Sequence, residues 1–308
     1  MSLETSPLML KTSSVLGPVL GPVVGAALCA AAVLALPALG WASASDLYYE
    51  RAVVANAGER CHLVAPELLG ALEAAEAQAR GAALRGGAQR AALDRAADAA
   101  ATKAQSVACN SQDLATIAQR VRTAFEGFSH LQAMTYPGDH AAWRAERPLS
   151  RKPRWTLSQQ ITTPVRATFG LVNDNGRVSL ELVTSDLGAL RASTARLVLR
   201  DGAKAPDAYI DARRRDLAGH VAPRWCTRTF LASAKGEAPE SLDIVRGQPA
   251  AAFTFPKEAI AALADLDPRE AVAIELVYPG LKGDRVDTVL VEVGDFAAGR
   301  AFVLAAKR

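Results

Sequence analysis

The stretch GERCHLVAPELLGAL, residues 58–72, sets Cys61 beside His62 and just ahead of a helix start at Ala65-Pro66. A cysteine placed there is either a thiolate, activated by His62 and the positive end of the helix, or half of a disulfide. The choice decides how the amino-terminal half folds. Pro66 suits a first helical turn and Glu67 complements the helix dipole. Leu68, Leu72, Ala75, Ala79 and Ala82 then recur at 4-3-4-3 spacing until Gly86-Gly87 breaks the helix, and Leu93, Ala97, Ala100, Ala104 and Val107 repeat that spacing beyond it. Two such segments joined by Gly-Gly predict an antiparallel pair whose alanine seams allow close backbone approach. Cys61 lies 25 residues before Gly86 and Cys109 lies 22 after Gly87, so the turn brings both cysteines to one end. The spacing therefore predicts a Cys61–Cys109 disulfide. Closing a loop of this length stabilises by about 4 kcal/mol in the chain-entropy model, useful where alanines bury little area. Neighbouring side chains usually diverge, which makes Cys61-His62 poor geometry for a catalytic pair, and His62 reads as a surface residue.

Helices flank this pair on both sides. Ser45 or Asp46 can cap a segment running to residue 58, in which Leu47, Glu50, Arg51 and Val54 fall at helical spacing. Asn110 or Ser111 can cap a further helix whose Leu114, Ile117, Val121, Phe125, Phe128 and Leu131 line one face. Phe125 and Phe128 read as core. Residues 45–136 thus predict a helical bundle domain.

Ahead of them, residues 15–41 contain no charged residue, follow a lone Lys11, and lead into Ala42-Ser43-Ala44. An apolar segment ending in A-x-A predicts a signal peptide over residues 1–44, cut after Ala44, and a periplasmic or secreted protein. The competing reading is a retained anchor, since about 20 apolar residues span a bilayer. Gly17-Pro18, Gly21-Pro22 and Pro37 weaken a regular helix there. Cys29 follows Leu28 where a lipidation signal needs a small residue. The net charge of +3 is modest: residues 45–150 carry 11 Lys and Arg against 12 Asp and Glu, residues 151–308 carry 23 against 19. That balance argues against nucleic-acid binding, which calls for a strongly basic face.

Tyr136 to Arg154 hold Pro137, Pro148 and Pro153 with five positive charges, Arg144, Arg147, Arg151, Lys152 and Arg154, and residues 137–154 read as a linker. From Trp155 to Arg308 the pattern changes to short runs rich in β-branched residues: WTLSQQITT, VRATFGLVN, RVSLELVTS, ARLVLRD, AYIDAR, WCTRTFLAS, AAFTF, AVAIELVYP and RVDTVLVEV. Asn173-Asp174-Asn175-Gly176 predicts a hairpin between two of them. One helix, from Lys257 to about Ala264, interrupts the series. The expected fold class is α+β, a disulfide-stapled helical bundle followed by an antiparallel β-sandwich-like domain.

The closing sequence FTFPKEAIAALADLDPREAVAIELVY, followed by RVDTVLVEVGDFAAGRAFVLA, runs strand, short helix, two strands and a Gly-aromatic turn with small residues, Gly294, Phe296, Ala297 and Ala298. Over about 55 residues it resembles the end of the invasion-associated locus B family of small secreted β proteins. The resemblance implies an exported β-sandwich and carries no functional residue. The family's usual cysteine arrangement is absent, since this half has Cys226 alone.

Motifs that carry chemistry are missing: there is no G-x-S-x-G, Walker A, dinucleotide G-x-G-x-x-G, H-E-x-x-H or C-x-x-C. His62, His130, His140 and His220 have no metal-ligand spacing, and no cofactor or metal is expected. Cys226, the odd thiol beside Trp225, reads first as a buried small residue. An intermolecular disulfide is its second reading, and a nucleophile paired with His220 its third. The basic residues at 144, 147, 151, 152 and 154, with Arg213, Arg214 and Arg215, are candidate contacts for an anionic ligand if they share a face. The expected function is non-catalytic binding or scaffolding in the envelope, the partner an envelope protein or an anionic envelope component. The alternative is a hydrolase acting on cell-wall or envelope material between the two halves, drawing on Asp139 and His140. A membrane-anchored accessory protein follows only if residues 1–44 remain attached.

Overall fold

A computed structural model describes residues 43–148, 154–211, 213–239, 242 and 249–305. Ser43 opens helix α1 (Ala44–Cys61) with a capping box: its hydroxyl accepts the Asp46 N–H while the Asp46 carboxylate accepts the Ser43 N–H. The helix ends at His62, which adopts the left-handed conformation (φ 50°) and is exposed as expected. Pro66 begins α2 (Pro66–Arg85), Gly86-Gly87 end it, and α3 (Arg90–Ser106) follows. Ser111, accepting from the Leu114 N–H, caps α4 (Gln112–Ala124).

Cys61 and Cys109 are bonded, with their Cα atoms 5.4 Å apart, and the bridge ties the end of α1 to the turn between α3 and α4. The packing around it differs from the expected close α2–α3 pair. Helix α1 lies against both α2 and α3, so Tyr48 and Ala52 fill the space between Ala79, Ala83 and Leu84 on one side and Leu93 and Ala100 on the other. Alanine seams facing each other would bury too little apolar surface, and the Tyr48 ring supplies what they lack.

The rest of the described residues form mainly antiparallel sheet, with two short α-helices and a few 3-10 turns. In order come β1 (Ala133–Tyr136), β2 (Trp143–Glu146), β3 (Arg154–Ile161), β4 (Ala167–Asp174), β5 (Arg177–Thr184), β6 (Thr194–Arg200), β7 (Thr227–Leu231), β8 (Ala234–Glu237) and β9 (Ala251–Phe255). Helix α5 (Glu258–Ala264), β10 (Ala271–Tyr278), β11 (Arg285–Glu292) and helix α6 (Phe296–Ala305) complete it. One sheet has the order β1-β2-β3-β4-β5-β9-β8 and the other β11-β10-β6-β7, and the fold is α+β. Asp174 pairs with Arg177 across Asn175-Gly176, both at positive φ, the two-residue hairpin the sequence predicts. Both sheets, α2 and α6 share one buried cluster.

Three expectations are corrected. The stretch 137–154, expected as a linker, contributes β2 to the first sheet, with Trp143 and Ala145 fully buried. AYIDAR is irregular where it is described, its Tyr209 N–H donating to the Glu270 carboxylate rather than to a strand. The Gly-aromatic turn instead starts helix α6, whose residues are apolar almost all round and so carry no one-sided periodicity in sequence.

Helix α6 is where helices and sheets meet. A Cβ on Gly70 of α2 would stand 2.3 Å from Ala305 Cβ, and one on Gly81 would stand 2.6 Å from Asp295 Oδ1. The side chain of Arg85 reaches Asp295, immediately before α6, with two hydrogen bonds of 2.7 and 2.9 Å. Replacing Gly70 with Val is expected to cost about 1–3 kcal/mol through overpacking, read from urea unfolding. Replacing Cys61 and Cys109 with Ser is expected to cost about 2–5 kcal/mol, read as a lowered midpoint in the same experiment.

Candidate functional site

Helices α1 and α4 do not close on one another. Between them, over Leu72 of α2, lies an open groove of ≈ 680 Å³. Its floor is apolar, built from Val53 and Val54 of α1, Ile117 and Val121 of α4, and Phe125 just beyond it. These residues follow from local sequence: Ile117, Val121 and Phe125 share one face at four-residue spacing, and α4 turns that face to α1 and α2. Val54, Ile117 and Phe125 remain half-buried.

The rim is charged. Arg51, Lys103 and Arg120 stand around it with Glu50 as the one carboxylate. Among the described residues none of the three cations is in an ion pair, although Arg51 donates one N–H to the Ala75 carbonyl at 2.5 Å. Burial lowers the affinity of the Arg51 guanidinium for its proton, with no carboxylate to offset it. Arg85 behaves oppositely, because its hydrogen bonds to Asp295 favour the charged form and outweigh burial.

Several other clusters of ionisable side chains are spent on the fold. Glu292, buried, accepts the backbone N–H groups of Asp139, His140 and Ala141, the last two at 2.8 and 2.7 Å, and so shapes the loop leading into β2. Arg200 and Glu270 form a fully buried pair at 2.6 and 2.9 Å. Burial opposes ionisation of Asp267, but its hydrogen bonds from Arg269 win and hold the carboxyl below its usual range. A smaller cavity of ≈ 350 Å³ lies between α2 and α3 on one side and the end of α5 and the start of α6 on the other, and its Asp94 and Asp295 are both paired with arginines.

The expected site residues are scattered. Arg147 departs most from expectation: it is buried, donates to the carbonyls of Phe128, Leu131 and Phe302, and stacks on the Phe128 and Phe302 rings. It is a strut rather than a surface contact. Arg144 pairs with Glu146, and Arg154 with Asp174 across the β3–β4 hairpin. Arg151 and Lys152 lie outside the described residues, as do residues 1–42. Arg213, Arg214 and Arg215 are exposed, and Arg214 is forked onto Asp216. Cys226 is buried and free, its thiol donating to the Pro223 carbonyl.

Asp139 and His140 sit on the loop held by Glu292. The fold does bring His140 to His220, with ring centroids 6.0 Å apart and nearly perpendicular. His220 Nδ1 is 2.7 Å from the Arg269 carbonyl, which can only accept, so Nδ1–H donates to it. Among the described residues no three His, Cys, Asp or Glu side chains converge to hold a metal ion. The groove residues escape sequence reasoning because Arg51, Lys103 and Arg120 come from three helices, and only α1 inserting beside α2 and α3 gathers them. Replacing Glu292 with Ala leaves three loop N–H groups without an acceptor and is expected to cost at least about 2 kcal/mol by chemical denaturation.

Compared with known proteins, the chain matches no family model, no curated protein and no solved structure.

Proposed function

We propose that this chain is an exported binding protein of the bacterial envelope that holds its ligand without catalysing a reaction. The observation that carries the reading is the α1/α4 groove, apolar at its floor and ringed by cations without ion-pair partners. Four buried carboxylates elsewhere serve the fold: Glu292 holds a loop, and Asp295, Glu270 and Asp267 hold arginines. Such groups are poorly placed to exchange protons with a substrate. Export is supported by the Cys61–Cys109 bond, which persists in oxidising compartments. Among the described residues no helix is long and apolar enough to cross a membrane.

One observation favours the hydrolase as a second reading. Two histidines 80 positions apart meet at a surface where Asp139 is also exposed. If they act on envelope material, the wild-type protein will turn over cell-wall fragments and the His140→Ala and His220→Ala variants will not.

The test of the first reading is the intact mass of protein recovered from the envelope fraction, with and without reduction. A chain starting at Ser45, and so without the Ser43 cap of α1, with Cys61 linked to Cys109 and a small molecule retained in native mass spectrometry, is the expected result. A chain retaining residues 1–44 with both cysteines reduced would overturn it.

A further inference from the structure

We infer that the α1/α4 groove binds a single-chain anionic amphiphile, an alkyl carboxylate whose tail lies on Val54, Ile117 and Phe125 and whose head meets Arg51, Lys103 and Arg120. The inference rests on the proposed binding role and names its ligand class.

The tail follows from the floor. Val54, Ile117 and Phe125 offer no hydrogen-bonding group from their side chains, so a sugar or peptide backbone laid there would lose its water without compensation. An alkyl chain loses none. The volume, ≈ 680 Å³, falls within the range of about 300–1,000 Å³ typical of small-molecule sites. From Ile117 to Phe125 the chain rises about 12 Å at helical pitch, a length on the scale of an acyl chain.

The head follows from charge. Three cations face one carboxylate at the rim. Elsewhere several half-buried arginines meet carboxylates: Arg85 with Asp295, Arg80 with Asp94 and Arg269 with Asp267. Arg51 is half-buried like them and gives a single N–H to a carbonyl, although a guanidinium carries five. An anion at the rim supplies the missing acceptor, and a carboxylate matches the planar fork of the guanidinium. Lys103 and Arg120, both exposed, are long and flexible enough to close on the same group.

The experiment uses cis-parinarate, a fluorescent long-chain fatty acid, titrated into the protein recovered from the envelope fraction, with the matching long-chain alcohol as competitor. Saturable binding of the carboxylate, with the alcohol about tenfold weaker, is expected, the worth of one charge-assisted contact. Arg120→Gln and Lys103→Gln change exposed positions, and each is expected to weaken the carboxylate about three- to tenfold while leaving the alcohol unchanged. Val54→Trp, which fills the groove, is expected to abolish both. Equal affinity for acid and alcohol, or no effect of the charge variants, would overturn the anionic head while the binding role stands. Failure of both probes to bind would overturn the amphiphile, as would their displacement by an acidic amphipathic peptide, which would point to a protein partner. The mass of the envelope-derived protein and its retained ligand judges the binding role separately.

Discussion

Asp295 is buried one residue before α6, and its charge is met by Arg85 at the end of α2, so the ion pair ties the first half of the chain to its last helix. Removing one partner of such a pair leaves an uncompensated buried charge and typically costs about 3–5 kcal/mol. The same junction depends on two glycines, because any side chain at Gly70 or Gly81 would collide with Ala305 or Asp295. Helix α6 in turn packs on β1, β2 and β3, with Phe302 beside Phe128 and Tyr136, and Arg147 capping the group from its carbonyl ladder. The helices have small alanine-rich cores of their own, and α2 gains stability by joining the larger core of the sheets.

With α2 held in this way, the remaining helices are arranged around it. Helix α1 inserts along α2 and α3, the Cys61–Cys109 bond keeps its end beside the start of α4, and α4 covers only part of the surface that α1 and α2 leave. The groove is the uncovered remainder. It separates the charged residues into two sets. Most described arginines lie against carboxylates or carbonyls, whereas Arg51, which gives one N–H to the Ala75 carbonyl, joins Lys103 and Arg120 around apolar surface without an ion pair, which is the basis for proposing an amphiphile there.

Several features were legible in the sequence because each rests on local chemistry. Ser111 as a cap, Pro66 in a first turn, the Gly86-Gly87 break and the Asn175-Gly176 hairpin all depend on what one or two residues permit the backbone to do. The Cys61–Cys109 pairing was accessible because folding back at the glycines places both cysteines at one end, and this holds even though α1, rather than α3, packs along α2. Strand content was visible in β-branched runs. Arg147 was not legible as a buried strut: its surroundings come from Phe128 and Phe302, the second 155 positions away, and prolines with clustered charge resemble a linker until Trp143 is seen in the core.

By itself, then, the sequence determined the α+β class, the starts of α2 and α4, the β4–β5 hairpin and the staple, since these follow from backbone preferences and short-range spacing. Tertiary structure alone decided that residues 137–154 join a sheet, that α6 is a helix, and that three cations from three helices ring an apolar groove. A residue's own identity says how it can bend the chain and how much water it sheds, whereas ion pairing and exposure depend on which distant segments fold against it.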